Sequence, residues 1–223
     1  MQICTWIVST ISAMSARTST LILTGLVLWV AAPPARSGDV YIFDAAQSQV
    51  GVAVSSGGVF GIFGHDHSLV ARHFSGVIQY DAARLGGSSV TLSIESKSLA
   101  VLDPNASEKD RREVQATMEG PRVLNVTAFP EISFRSTGLG DLKQTGQEWE
   151  GTLTGILKLH GIERTVVFPI RVKLENDRLN AWGEVFINQR EFGITPISLA
   201  GGAVRVKDRV KVTFSLLAER KKS

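Results

Sequence analysis

The chain has 223 residues, 43% of them hydrophobic, with 24 basic and 21 acidic side chains and a formal charge of +3. Charges of both signs in near balance do not make the clustered basic surface that a nucleic-acid partner demands. The one cysteine, Cys4, leaves no disulfide framework and no cysteine metal site.

Leu21 to Ala32 is an apolar run with Arg17 before it and Pro33, Pro34 and Ala35 after it. A charged start, a short apolar core and small residues near a cut are the layout of a secretory signal. The run is shorter than the roughly 20 apolar residues that cross a bilayer comfortably. We therefore expect a signal over 1–37, cut near Ala35 to Ser37, and one domain over 38–223, placed in the periplasm or secreted. An uncleaved membrane anchor is the competing reading, and Met14 is an alternative start. Cutting removes Cys4, Arg17 and Arg36 and no acidic residue, so the formal charge falls from +3 to +1.

Beyond the signal, eight stretches alternate apolar and polar residues, the period of a half-buried strand. Val50, Val52 and Val54 predict a first strand from about Tyr41 to Ser55, followed by a loop through Gly57, Gly58, Gly61 and Gly64. Phe74, Gly76, Ile78 and Tyr80 predict a second strand, and Val90, Leu92 and Ile94 a third. A helix follows over Glu108 to Met118, opened by a Ser107-to-Asp110 capping signal and stopped at Gly120-Pro121. Its apolar face is narrow, Val114 and Met118, so it should lie over an end of the sheet. Strands resume at Ile132 and Phe134, at Trp149 to Leu159, at Val166 to Leu174, at Leu179 to Ile187 and at Val210 to Leu216. In the Leu179–Ile187 stretch both faces carry bulky apolar groups, and parity leaves open which one points inward.

Alternating strands must bury one face each, and full closure also removes exposed edges. The predicted fold is all-β, an eight-stranded antiparallel barrel with one short helix over an end. Eight strands enclose an interior that side chains can just fill or that holds one slender ligand. Glycines at 51, 76, 151, 155 and 183 fall inside strands, where they allow sharp bending or close approach of a ligand.

His65 and His67 are the sharpest chemical feature. Residues two apart on extended chain point the same way, so both imidazoles could face one zinc, copper or nickel ion, or a haem. His73 shares their parity, and Asp66 lies between them. The competing reading is a loop whose histidines bond backbone groups at the barrel mouth. His160, between Leu159 and Gly161, is read as a turn residue ahead of a further metal ligand. The chain has no Gly-x-Ser-x-Gly elbow, no phosphate loop before a helix and no paired carboxylates, so an enzyme is not expected.

Five motifs in order resemble the YceI-like family. They are Tyr41-x-x-Asp44 with Ser48, Phe74-Ser75-Gly76 with Asp81, Phe129-Pro130-x-Ile132-x-Phe134-x-Ser136, Gly151-x-Leu153-Thr154 with Leu159-His160-Gly161, and Arg190-x-Phe192-Gly193-Ile194. They cover roughly residues 40 to 218. The Gly64-His65-Asp66-His67 element is a subgroup feature. The resemblance implies a lipocalin-like barrel in the bacterial periplasm with an elongated apolar tunnel for a polyisoprenoid or similar amphiphilic lipid. For some relatives it also implies a homodimer, and transient membrane contact is a separate expectation for a lipid-binding chain. On that reading the ligand contacts are Phe60, Phe63, Phe74, Phe134, Phe168, Trp182, Phe186 and Phe192. Each buried methylene is worth about 0.8 kcal/mol, so a long tail binds without a salt bridge. Two rival functions remain, a metal-dependent protein using His65 and His67, and an interaction module whose barrel is filled by these same rings.

Overall fold

The computed structural model describes residues 38–57, 66–199 and 204–222. The expected signal over 1–37 therefore lies outside the described residues.

The wall is a ring of eight antiparallel strands: β1 (Asp39–Phe43), β4 (Phe74–Tyr80), β5 (Ser89–Glu95), β7 (Glu131–Thr145), β8 (Glu148–Leu159), β9 (Ile162–Glu175), β10 (Arg178–Asn188) and β12 (Val204–Arg220). The ring closes where β12 returns to β1, pairing Tyr41 with Arg220 and Phe43 with Ala218. Ala218 and Tyr41 at this seam are 0% and 1% exposed, so closure buries as well as pairs. β12 is long enough to serve two partners along one edge while β10 pairs along the other. Its last residues meet β1, and the stretch before them pairs with β2 (Gln49–Gly57) from Ser215–Gln49 to Arg205–Gly57. Two short strands, β3 (His67–Ala71) and β6 (Leu99–Val101), extend the wall beyond β2. A two-residue β11 (Ser198–Leu199) pairs with the start of β12.

The single first strand expected over 41–55 is two strands. The Asp44 carboxylate accepts from the N–H of Ala46 at 2.9 Å and from the side-chain amide of Gln47 at 2.5 Å, which turns the chain between β1 and β2. Those bonds, the Gln47 amide foremost, hold the Asp44 carboxyl below its ordinary range.

Helix α1 (Glu108–Glu119) begins where its cap predicts. Ser107 Oγ accepts from the Asp110 N–H at 3.1 Å and donates to Asp110 Oδ2 at 2.7 Å. It covers the end of the barrel where β2, β8 and β10 finish. Val114 and Met118 point to the interior. On the same helix Gln115 serves the free edge of β6. Its Oε1 accepts from the Val101 N–H at 2.9 Å, and its Nε2 donates to the Leu99 carbonyl at 2.8 Å. One side-chain amide thus stands in for a neighbouring strand.

Two hairpins at opposite ends share one turn chemistry. His160–Gly161 joins β8 to β9 with φ of +51° and +74°, and Asn176–Asp177 joins β9 to β10 with +46° and +64°. Two positive φ values in a two-residue loop match the twist of the strands they connect. His160 is therefore a turn residue, as expected. Its Nδ1 lies 3.1 Å from the Phe192 carbonyl, and its ring packs edge-on against Phe129 at 4.6 Å.

Candidate functional site

Inward positions alternate along each long strand: Leu153 and Leu157 on β8, Phe168 and Ile170 on β9, Ala181 and Val185 on β10, Val212 and Phe214 on β12. They enclose a cavity of about 1280 Å³. That exceeds the roughly 300–1,000 Å³ of pockets built for compact small molecules. Its lining runs from Trp149 and Leu174 near the β7–β8 and β9–β10 turns to Val54 on β2 and Val114 on the helix. The interior is hollow along its length rather than filled by its own side chains.

Phenyl rings of the lining are paired with strand glycines. Phe134 on β7, Phe168 on β9 and Phe214 on β12 come from alternate strands, and their ring centroids stand 5.7 and 5.8 Å apart. The strands between them carry Gly155 on β8 and Gly183 on β10. A Cβ at Gly155 would collide with the Phe134 ring, and one at Gly183 would stand 2.8 Å from Phe214 Cζ. Each ring leans over a glycine to reach Phe168. Phe43 occupies the space over Gly76 in the same way. The strand glycines therefore lodge the wall's own aromatic rings.

A hydrogen-bonded polar pair stands in the lining at the helix end. His67, first residue of β3, places its Nδ1 2.6 Å from Asp103 Oδ2. Asp103 Oδ1 accepts from the Ser68 N–H at 2.8 Å. The Asp103 side chain is 6% exposed and that of His67 27%. Both line the cavity, with Asp110, Glu113 and Arg205 at the same mouth. Asp66, next in the chain, turns away and accepts from the Ser56 N–H at 2.9 Å.

Of the residues expected to contact a ligand, Phe134 and Phe168 line the cavity. Phe74 is half-buried against the core at the β4 end without lining it, and Phe192 is 1% exposed in the turn after β10. Trp182 and Phe186 are corrections, because they point outward. The inward face of β10 belongs to Leu179, Ala181, Val185 and Ile187, and the even positions follow the pleat to the outside. There the Arg171 guanidinium lies 5.4 Å over the Trp182 ring and that of Arg209 4.0 Å over Phe186. Phe60, Phe63 and His65 lie outside the described residues. His73 is exposed and its Nδ1 lies 3.2 Å from Glu95 Oε2. Among the described residues no three His, Cys, Asp or Glu side chains converge as a metal site would require.

Sequence reasoning missed Phe43, Trp149 and Phe214 as lining. Phe214 was recoverable, since it shares parity with Val210, Val212 and Leu216 in the most regular strand. Asp103 had no signal, because its partner lies 36 residues away.

Comparison with known proteins agrees with this architecture. The family model of the YceI-like domain matches residues 41–218. The UPF0312 protein of Azotobacter vinelandii is 33% identical over 100 residues, 45% of this chain and 46% of that one. The match thus spans about half the length of that relative. Among solved structures, BcnA of Burkholderia cenocepacia superposes with a TM-score of 0.62 at 19% identity, over 78% of this chain and 98% of BcnA. A domain from Saccharophagus degradans, described as polyisoprenoid binding and implicated in plant cell wall breakdown, gives 0.58 at 16% identity, over 81% and 98%. The chain belongs to the YceI-like family, and its fold is the closed eight-stranded barrel of these neighbours.

Proposed function

We propose that this YceI-like protein is exported to the periplasm and holds the apolar tail of a polyisoprenoid or similar amphiphilic lipid inside its barrel, as a binding protein or carrier. The observation that carries the reading is the hollow itself, about 1280 Å³ lined almost end to end by aliphatic and aromatic side chains. Such a cavity gains about 0.8 kcal/mol for each methylene it dehydrates and asks for no ion pair. Its length suits a chain better than a compact ring system. Polar side chains line both ends, and the polar head stays at the helix end, beside His67 and Asp103. The polyisoprenoid-binding description of the Saccharophagus domain supports the same ligand class.

Loading and release are then passive partition between a membrane and the lumen. Transient contact with a membrane surface follows from that exchange, and a homodimer is compatible with it. No covalent step is needed, so the protein acts by sequestering its ligand.

The test is organic extraction of the purified protein followed by mass spectrometry. A co-purifying lipid with masses spaced by one isoprene unit supports the proposal. Empty extracts, together with no uptake of added polyprenol, would contradict it.

A further inference from the structure

We propose that His67 receives the head group of the bound lipid, and that this head group is a neutral hydroxyl donor, an alcohol or a phenol, rather than a phosphate or a carboxylate. The inference rests on the lipid-filled lumen proposed above and adds the chemistry of the ligand's polar end.

The Asp103 carboxylate is buried, takes the Ser68 N–H on Oδ1 and faces His67 Nδ1 across 2.6 Å on Oδ2. A carboxylate only accepts, so the imidazole proton sits on Nδ1. In the neutral ring that leaves Nε2 as a lone-pair acceptor. Nε2 has no hydrogen-bond partner among the described residues, and the ring lines the cavity at its helix end. Asp103 thus fixes the orientation of the ring and, in its neutral form, the tautomer that presents Nε2 as an acceptor to whatever occupies the mouth.

The charge around it selects against anions. Asp103, Asp110 and Glu113 line this mouth, and Arg205 is the one cationic side chain lining it among the described residues. Behind the lining the Arg111 guanidinium donates to the Ala106 carbonyl at 2.6 Å and lies 3.4 Å from that of Asp103, so three carboxylates face two guanidiniums, and the remaining negative balance disfavours a phosphate or carboxylate head. A hydroxyl carries no charge, donates to Nε2 and keeps its oxygen toward solvent. An ether of the same shape cannot donate and would leave Nε2 unsatisfied, which a partly dry site penalises.

The experiment is a titration of the purified protein with geranylgeraniol, its methyl ether and its monophosphate, read by intrinsic tryptophan fluorescence. The alcohol should bind about tenfold more tightly than the ether, the worth of one well-made hydrogen bond in such a site. The monophosphate should bind more weakly than the alcohol. In His67→Phe the alcohol should fall to the affinity of the ether, with the ether unchanged. Should that variant not fold, the wild-type protein with 15N-labelled histidine gives the same answer. The His67 Nε2 resonance should move on adding the alcohol and stay put with the ether. Equal affinity for alcohol and ether in the wild type, or tighter binding of the monophosphate, would overturn the assignment while leaving the lipid lumen standing. Failure of all three compounds to bind would remove the lumen reading, and this one with it.

Discussion

The phenyl ring of Phe134 occupies the space that a side chain at Gly155 would fill. The two residues lie on neighbouring strands, and the Arg135 carbonyl closes the same space at 2.7 Å from an added Cβ. This pairing of ring and glycine lets three aromatic side chains meet across five strands without a bulky residue beneath them.

Gly155→Ala therefore forces either the ring or the β7 backbone to move. Overpacking of this kind costs about 1–3 kcal/mol, and urea denaturation should show that loss. Adding Phe134→Leu should recover part of it, because the leucine vacates the contact while Arg135 remains. Full additivity in the double-mutant cycle would contradict the pairing.

Replacing Gln115 with leucine leaves the Val101 N–H and the Leu99 carbonyl without their partner and should cost about 1–3 kcal/mol. Amide exchange at Val101 should accelerate more than exchange at the centre of β10. Unchanged protection at Val101 would mean that water serves this edge equally well.

Gly161 carries two constraints at once. Its φ is +74°, and a Cβ there would meet Phe129 Cε1 at 2.5 Å. Gly161→Ala should lower the thermal midpoint by more than the conformational term alone, about 1 kcal/mol, would give. At His160, φ +51°, asparagine should be tolerated better than valine, since a β-branched side chain is strained in that region.

Burial of Tyr41 raises its phenol above the ordinary value of 10.0, against a smaller opposing pull from Arg220. The folded state thus favours the neutral phenol. Its contribution to stability is whole below about pH 10 and is lost as pH rises through the folded-state value, because the unfolded chain ionises first. Stability measured across this range should fall more steeply in the wild type than in Tyr41→Phe. Parallel curves would mean that Tyr41 is no more buried than an exposed tyrosine.

Much of the barrel was legible because period-2 alternation is local. Val210, Val212, Phe214 and Leu216 declare a strand by themselves, and Ser107 with Asp110 declares a helix start. What escaped depended on partners distant in the chain. Asp44 splits the first strand through a turn of side-chain bonds that hydrophobic parity does not register. Trp182 and Phe186 resemble interior residues because β10 is apolar on both faces, and only the register with β9 and β12 turns them outward. The glycines were ambiguous for the same reason. Whether Gly155 bends a strand, admits a ligand or lodges a ring is decided by Phe134, which lies 21 positions earlier.

A lumen that takes up an apolar tail must bind longer tails more tightly, and a series of isoprenols of increasing length tests this. Isoprenols of two, three, four and more units should bind with affinity that climbs with each unit and then levels off once the cavity of about 1280 Å³ is full. The early slope should approach the roughly 0.8 kcal/mol per methylene expected of buried hydrocarbon, about fourfold in affinity for each. An affinity that does not change with tail length would contradict the account, because a chain that never enters the barrel gains nothing from its added carbons.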